Sequence, residues 1–396
     1  MDLKSDLPFW TVCNGLLTVY PPLTDDVRCD ALVIGGGITG AILADSLVQA
    51  GADTVVVDRR DIGHGSTSAS TALLQYEIDE PLHRLREKAG RKFADRAYLM
   101  GARSVNRLAR LAGKNCDFVS VPSVFLAKVK GDEPFLRREY EARREAGLAV
   151  RLLGRTELRR EFGVNRWAGL VSEVGASLDP YRLTHSLLNR WRGKGLRVFD
   201  RTEVKRYRAN TTGVDAFTDR GSRIRCRRVF FATGFETQEI LPRTFVQLRS
   251  TYALVSEPLK MPWWRKNCLL WEKGDAYLYA RQTADGRVLA GGEDDFVLSG
   301  PRRDAQTEGK AVKIRRKFER LFPGSRIEPA FWWSGVFGST KDGLPYIGPH
   351  PDFPRGYFAL GFGGNGITFS VMAARILTDL FLGRSNPDAA IYRFDR

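Results

Sequence analysis

The chain has 396 residues, 43% of them hydrophobic and 27% charged, which is the balance of a soluble globular protein large enough for two interwoven domains. No apolar run approaches the ~20 residues of a membrane span, and the opening MDLKSDLPFW has no signal-peptide core. The formal charge is +16, yet acids are interleaved with the basic residues of RREYEARRE and KIRRKFER, so no nucleic-acid partner is expected.

In chain order, residues 1–27 form an extension rich in Trp, Tyr and Pro, ordered only if those aromatics dock on a core. DALVIGGGITGAILADSLVQAGADTVVVD follows and reads as strand, glycine turn, helix and strand. From Pro81 to about Lys114 the apolar spacing is helical, VPSVFLAKVK is strand-like, and EPFLRREYEARREAG returns to helix. YRLTHSLLNRWRGKG is a further helix with a glycine stop. A run of short strands ends in RRVFFATG, and a strand-rich part carries one basic helix near Ala305–Leu321. The chain closes on a strand, a glycine loop and an apolar helix, in GYFALGFGGNGITFSVMAARILTDLFLG. Five dispersed cysteines and four scattered histidines make neither a zinc site nor any other metal cluster, and the odd number of thiols suits a reducing cytoplasm.

Gly35, Gly37 and Gly40 form G-x-G-x-x-G between an apolar strand and a helix, and the next strand ends at Asp58, 58 − 40 = 18 residues on. The glycines allow a tight turn and a close approach of backbone to a pyrophosphate, whose charge lies on the helix N-terminus. Asp58 can accept hydrogen bonds from ribose hydroxyls. Ile38, Thr39 and Arg59 complete this set of dinucleotide-binding candidates. The motif alone leaves NAD and FAD open. The stretch after it, GSTSASTALLQYEID, points to FAD. Its hydroxyls, Ser66, Thr67, Ser70 and Thr71 first among them, suit a pyrophosphate, a ribityl chain and the edge of a flavin ring.

These features, together with VFFATG and TKDGLPYIG…GYFALGFGGNGITFS, resemble the D-amino-acid-oxidase-like family of FAD-dependent oxidoreductases, which includes glycine and sarcosine oxidases and glycerol-3-phosphate dehydrogenases. The resemblance spans nearly all of the chain after residue 28. It implies a Rossmann-like α/β FAD domain with a parallel sheet, discontinuous over 28–79, 180–240 and 336–396. An α+β substrate domain with a mixed or antiparallel sheet would come from 80–179 and 241–335. It further implies that the backbone at Val204 holds the adenine and that Ala232, Thr233 and Gly234 pack beside the nucleotide. Gly361, Gly363, Gly364, Asn365, Gly366 and Ile367 would bring amides to the flavin's pyrimidine end, beside the N-terminus of the last helix.

Two departures from the family pattern bear on chemistry. Members that oxidise α-amino acids often carry an Arg three residues before the Thr of T-x-D-G; here that position is Phe337. The Cys that holds flavin covalently in sarcosine-oxidase-like members is absent, since no Cys follows Cys268. His64 reads as a solvated loop histidine rather than a flavin attachment point, so the FAD is expected to be non-covalent. The leading expectation is oxidation of a C–N bond of an amine or amino acid, with hydride passing to flavin and then to oxygen or a carrier. Tyr252, Tyr279 and Arg281 are the catalytic candidates: the tyrosines position substrate, with Tyr277 and Trp332–Trp333 beside them, and Arg281 replaces the missing arginine. Two alternatives stay open, a hydroxy-acid or polyol-phosphate dehydrogenase on the same fold and an RNA-modifying flavoprotein.

Overall fold

The computed structural model describes every residue except 6, 275, 276, 297 and 298. A six-stranded sheet runs in the order Leu196–Phe199, Thr54–Val57, Ala31–Ile34, Arg228–Phe231, Gly356–Leu360, Tyr346–Pro349. All pairs are parallel except the last, which is antiparallel. TVVV at 54–57 is fully buried, as a parallel strand covered on both faces must be. Side chains alternate between two cores: Val33, Val56 and Phe230 face helices Ile38–Gln49, Arg91–Ala112, Pro180–Trp191 and Gly366–Phe381. Leu32, Val55 and Phe231 face the other way. There a four-stranded sheet is made of Val27–Arg28, Arg223–Cys226, Val214–Thr218 and Val204–Ala209.

The helical stretch after Pro81 is two helices, Leu82–Ala89 and Arg91–Ala112, broken at Gly90 with φ +80°. That left-handed backbone ends one helix and starts the next at an angle. Helix Pro180–Trp191 begins where Asp179 Oδ1 accepts the amides of Tyr181 and Arg182, each at 2.9 Å, with Pro180 in the first turn.

The second large sheet has eight strands, Pro329–Ser339, Gln247–Ser256, Val288–Asp295, Leu278–Gln282, Leu269–Glu272, Ser123–Ala127, Ala168–Ser172 and Val150–Gly154, in that spatial order. It is antiparallel save for the pairing of Leu269–Glu272 with Ser123–Ala127. One face carries Tyr252, Leu254, Leu278 and Ala280 and packs on the basic helix, which spans Gly300–Leu321. The other face looks toward the six-stranded sheet.

The N-terminal extension lies on the edge of this sheet. Ser5 N donates to Ser334 O, and Leu3 O accepts from Val336 N at 2.8 Å. Pairing covers an edge strand that would otherwise expose its ladder. Phe9 stacks on Trp333 with centroids 6.0 Å apart, so the aromatics of the extension do dock.

Candidate active site

Between the two large sheets lies a cavity of about 520 Å³, within the range of ligand sites. It starts at the glycine turn. Gly35 has φ +112°, and a Cβ there would run into the Ala232 carbonyl. A Cβ on Gly40 would collide with the Gly35 carbonyl. Gly40 is therefore a packing glycine between helix and strand, and of the expected cofactor residues it alone does not line the cavity. Helix Ile38–Gln49 opens on Gly37 with no side-chain cap there. Thr67 Oγ1 accepts the Ile38 amide at 2.9 Å, leaving other first-turn amides for an anion.

Asp58 accepts from Gly36 N at 2.7 Å and Arg60 N at 2.8 Å. Burial pushes its carboxyl up to about 6 against those two hydrogen bonds. Arg59 and Arg60 both bind Glu236, Arg60 Nη2 at 2.6 Å from Oε1. Arg59 lines the cavity as an ion-paired side chain. Val204, Ala232, Thr233 and Gly234 line the same end, and the Thr233 and Thr237 hydroxyls meet at 2.7 Å.

The hydroxyl loop holds one helical turn, Ser66–Ala69, and runs into the strand Leu73–Gln75. Three successive carbonyls of the loop are pinned from outside. Trp333 Nε1 donates to Ala69 O at 2.8 Å, Trp10 Nε1 to Ser70 O at 2.7 Å, and Arg281 Nε to Thr71 O at 2.7 Å. Ser66 Oγ is buried without a partner and belongs to the cavity wall. A polar atom in that state calls for a ligand donor or acceptor.

At the far end, Gly361 to Ile367 lead into helix Gly366–Phe381. Asn365 Nδ2 donates to Glu77 O at 2.7 Å, and Thr368 Oγ1 to Gln75 O at 2.9 Å. These bonds fasten the glycine loop to the 73–77 segment. Trp271, Tyr277, Tyr279, Phe337 and Phe362 give this end its aromatic walls. Gly291 stands opposite Tyr279 on the neighbouring strand, where any side chain would strike its ring. Burial raises the Tyr279 hydroxyl to about 12, so it stays a neutral donor.

Two of the three catalytic expectations need correction. Arg281 does not line the cavity. Its guanidinium donates to the carbonyls of Thr71, Gln282 and Leu178, leaving no fork for a substrate carboxylate, and burial lowers it to about 10. Tyr252 borders the cavity, but its ring joins the core on the opposite face, under Lys310 Nζ at 4.7 Å. Its hydroxyl donates to Asp295 at 3.1 Å. Strand alternation gives the cavity side to Thr251 and Ala253 instead. Trp332 is exposed at 39% while Trp333 is buried at 1%, so only Trp333 contributes to the wall. His64 Nε2 lies 3.2 Å from the Tyr181 hydroxyl and does not line the cavity.

Gln75, Glu77, Asp79 and Trp271 line the cavity without having been singled out from sequence. The acids were visible in LLQYEID, but nothing in the pattern said that this strand turns back under the glycine loop.

A glycine turn with a buried acid beside it, a helix N-terminus and an aromatic end are parts that a flavin-dependent oxidoreductase uses. The chain belongs to the FAD dependent oxidoreductase family, whose sequence profile matches residues 30–380; it is an enzyme and FAD is its cofactor. It is 26% identical to gamma-glutamylputrescine oxidoreductase of Escherichia coli (strain K12), over 92% of this chain and 86% of that one. Identity to glycine oxidase of Geobacillus kaustophilus (strain HTA426) is 24%, over 89% and 93% of the two chains. Among solved structures, glycine oxidase from Geobacillus kaustophilus superposes with a TM-score of 0.77 at 19% identity, covering 91% of this chain and 96% of that one. L-amino acid deaminase from Proteus myxofaciens gives 0.78 at 14%, covering 97% and 96%.

Proposed function

We propose that this enzyme oxidises the C–N bond of an amine or amino acid to an imine. The supporting observation is one continuous cavity that joins the dinucleotide end to a closed aromatic end. Bound FAD supplies the hydride acceptor; the residues of the chain bind, orient and exclude water. The residues that would hold it are Gly35, Gly37 and the first-turn amides at the pyrophosphate, Asp58 at the ribose, Val204 at the adenine and the 361–367 loop at the ring. Tyr277, Tyr279 and Phe337 position the substrate by burial and ring contact, each worth about 1–2 kcal/mol.

Named relatives include a glycine oxidase and a gamma-glutamylputrescine oxidoreductase, which supports amine chemistry on this chain. Phe337 argues against the smallest amino acids. A carboxylate desolvated there without a paired cation costs several kcal/mol. Anaerobic flavin bleaching is the test, with an amine and amino-acid panel set against hydroxy acids and polyol phosphates. A larger amine is expected to reduce the flavin faster than glycine, sarcosine or D-alanine. Faster reduction by a hydroxy acid or polyol phosphate overturns the assignment, and fastest reduction by glycine or D-alanine overturns the role of Phe337.

FAD is held non-covalently in this reading, and acid precipitation is expected to release it to the supernatant. The reoxidant is oxygen or a carrier. Among the described residues no helix is long and apolar enough to cross a membrane. A cytoplasmic setting belongs to this reading and rests on the dispersed, odd number of cysteines in the sequence.

A further inference from the structure

Acids line both ends of the cavity, Asp58, Glu203, Glu236 and Glu239 at one and Glu77 and Asp79 at the other, whereas its lining cations are confined to the first. Its arginines, Arg59 and Arg60, stand at the nucleotide end, and both are bound to Glu236. At the aromatic end the charged lining residues, among those described, are Glu77 and Asp79. Asp79 is open to the cavity and makes no ion pair among the described residues. Among the described residues its hydrogen bond is from Gly364 N, at 3.3 Å. Its carboxyl is raised by the depth of the site, against the pull of the Gly364 amide and of Arg249.

Glu77 is 3% exposed. Its Oε1 takes Arg143 Nη1 at 3.2 Å, while Oε2 has no hydrogen-bond partner. Arg143 also serves Glu139 at 2.7 Å, and Glu139 is further held by His83 at 2.8 Å. Behind the wall, burial raises the Asp294 carboxyl against the hydrogen bonds of the Thr251 and Tyr277 hydroxyls. Arg249 faces Phe337 across the strand pair and lies over the Phe296 ring at 4.5 Å; among the described residues it makes no ion pair, and its buried Nε has no hydrogen-bond partner. Asp79 and Asp294 against Arg249 leave one net negative charge. A buried carboxylate oxygen without a donor is costly, and aromatic faces around it attract cations.

We propose that this end of the cavity recognises a second cationic group on the substrate, with Asp79 as its counter-ion, so that the preferred substrate is a diamine. The inference rests on the amine-oxidation reading and names its substrate class. One nitrogen, neutral, is oxidised near the ring, while the other keeps its charge between Asp79 and the faces of Trp271, Tyr277 and Tyr279. A substrate ending in a carboxylate would meet like charge from Asp79 and Glu77.

Calorimetric binding to the FAD-loaded enzyme, with its flavin already reduced by dithionite, separates recognition from turnover. The probes are 1,4-diaminobutane, n-butylamine and 4-aminobutanoate, which share a four-carbon chain and differ in the distal charge. The diamine is expected to bind about tenfold or more tightly than butylamine, with 4-aminobutanoate weakest. In Asp79→Asn the ratio of diamine to butylamine affinity collapses toward one, and Asp79→Glu restores it; flavin content verifies that each variant is folded. Equal binding of diamine and butylamine by the natural enzyme overturns the inference, as does a ratio that persists in Asp79→Asn. Tightest binding of 4-aminobutanoate overturns it in favour of Arg249 as a carboxylate anchor. Tight diamine binding with no flavin reduction by any amine leaves charge recognition standing and overturns amine oxidation instead.

Discussion

At the scale of single residues, the proposed cofactor roles of the glycine turn and Asp58 differ in kind. A Cβ on Gly37 would already sit 3.0 Å from Thr67 Oγ1, tight enough to press on that side chain. Gly37→Val is therefore expected to displace the backbone from the pyrophosphate and to lose most of the flavin, read as the ratio of flavin to protein absorbance. Asp58 makes binding depend on pH. Burial raises its carboxyl from 3.8 to about 6, so in the ligand-free protein it takes up a proton as pH falls through that value. A raised carboxylate means that holding the charge costs the empty fold, which gains stability relative to the unfolded chain as pH drops from 6 toward 4. FAD has the opposite preference, because ribose hydroxyls donate best to the ionised form. Its apparent Kd is expected to rise toward about tenfold per pH unit below 6 in fluorescence titrations of the apoprotein, and Asp58→Asn should flatten that dependence.

Among the elements, the Leu278–Gln282 strand separates what the sequence could say from what it could not. Alternation places Tyr279 and Arg281 on one face, which is correct: both look toward the hydroxyl loop. Sequence carries no measure of how far the cavity extends along that face. It ends beyond Tyr279, and Arg281 lies under the loop instead of beside substrate. Tyr252 was misjudged for a related reason, because a tyrosine suits either side of a half-buried strand and only its register against Gly292 and Ser334 fixes which. The glycine turn, the acid at 58 and the closing loop were legible because each demands a residue type that few other roles demand. Arg281→Met tests the revised role. It strands the carbonyls of Thr71, Gln282 and Leu178, at about 1–3 kcal/mol for an unmet buried group. Total destabilisation of about 3 kcal/mol or more is expected in denaturant titrations, together with weaker FAD retention. A variant of unchanged stability that selectively loses carboxylate substrates would return Arg281 to the substrate site.

For the whole molecule, the cofactor cavity is assembled from chain segments that meet only in the finished fold. Residues drawn from within 35–39, 58–79, 202–204, 232–240, 251–253, 271–279, 333–337 and 360–368 make its wall. The six-stranded sheet draws its strands from the start, middle and end of the chain, with Arg228–Phe231 wedged between Ala31–Ile34 and Gly356–Leu360. A fragment of residues 28–150 would keep the glycine turn, Asp58 and the hydroxyl loop. It would lack Val204, the 232–234 segment and the 361–367 loop, and loss of Arg228–Phe231 would leave Ala31–Ile34 as an exposed apolar edge. Such a fragment is expected to aggregate and to bind no FAD, whereas the full chain binds one equivalent. Ligand linkage gives the full chain a second signature. Free FAD at 100 times its Kd adds about 2.7 kcal/mol, so Tm should climb steadily with added FAD and fluorescence from the loop-pinning Trp10 and Trp333 should report the same transition. Stoichiometric FAD binding by the isolated 28–150 fragment would show that the first segment is a nucleotide domain in its own right, and that the later segments only decorate it.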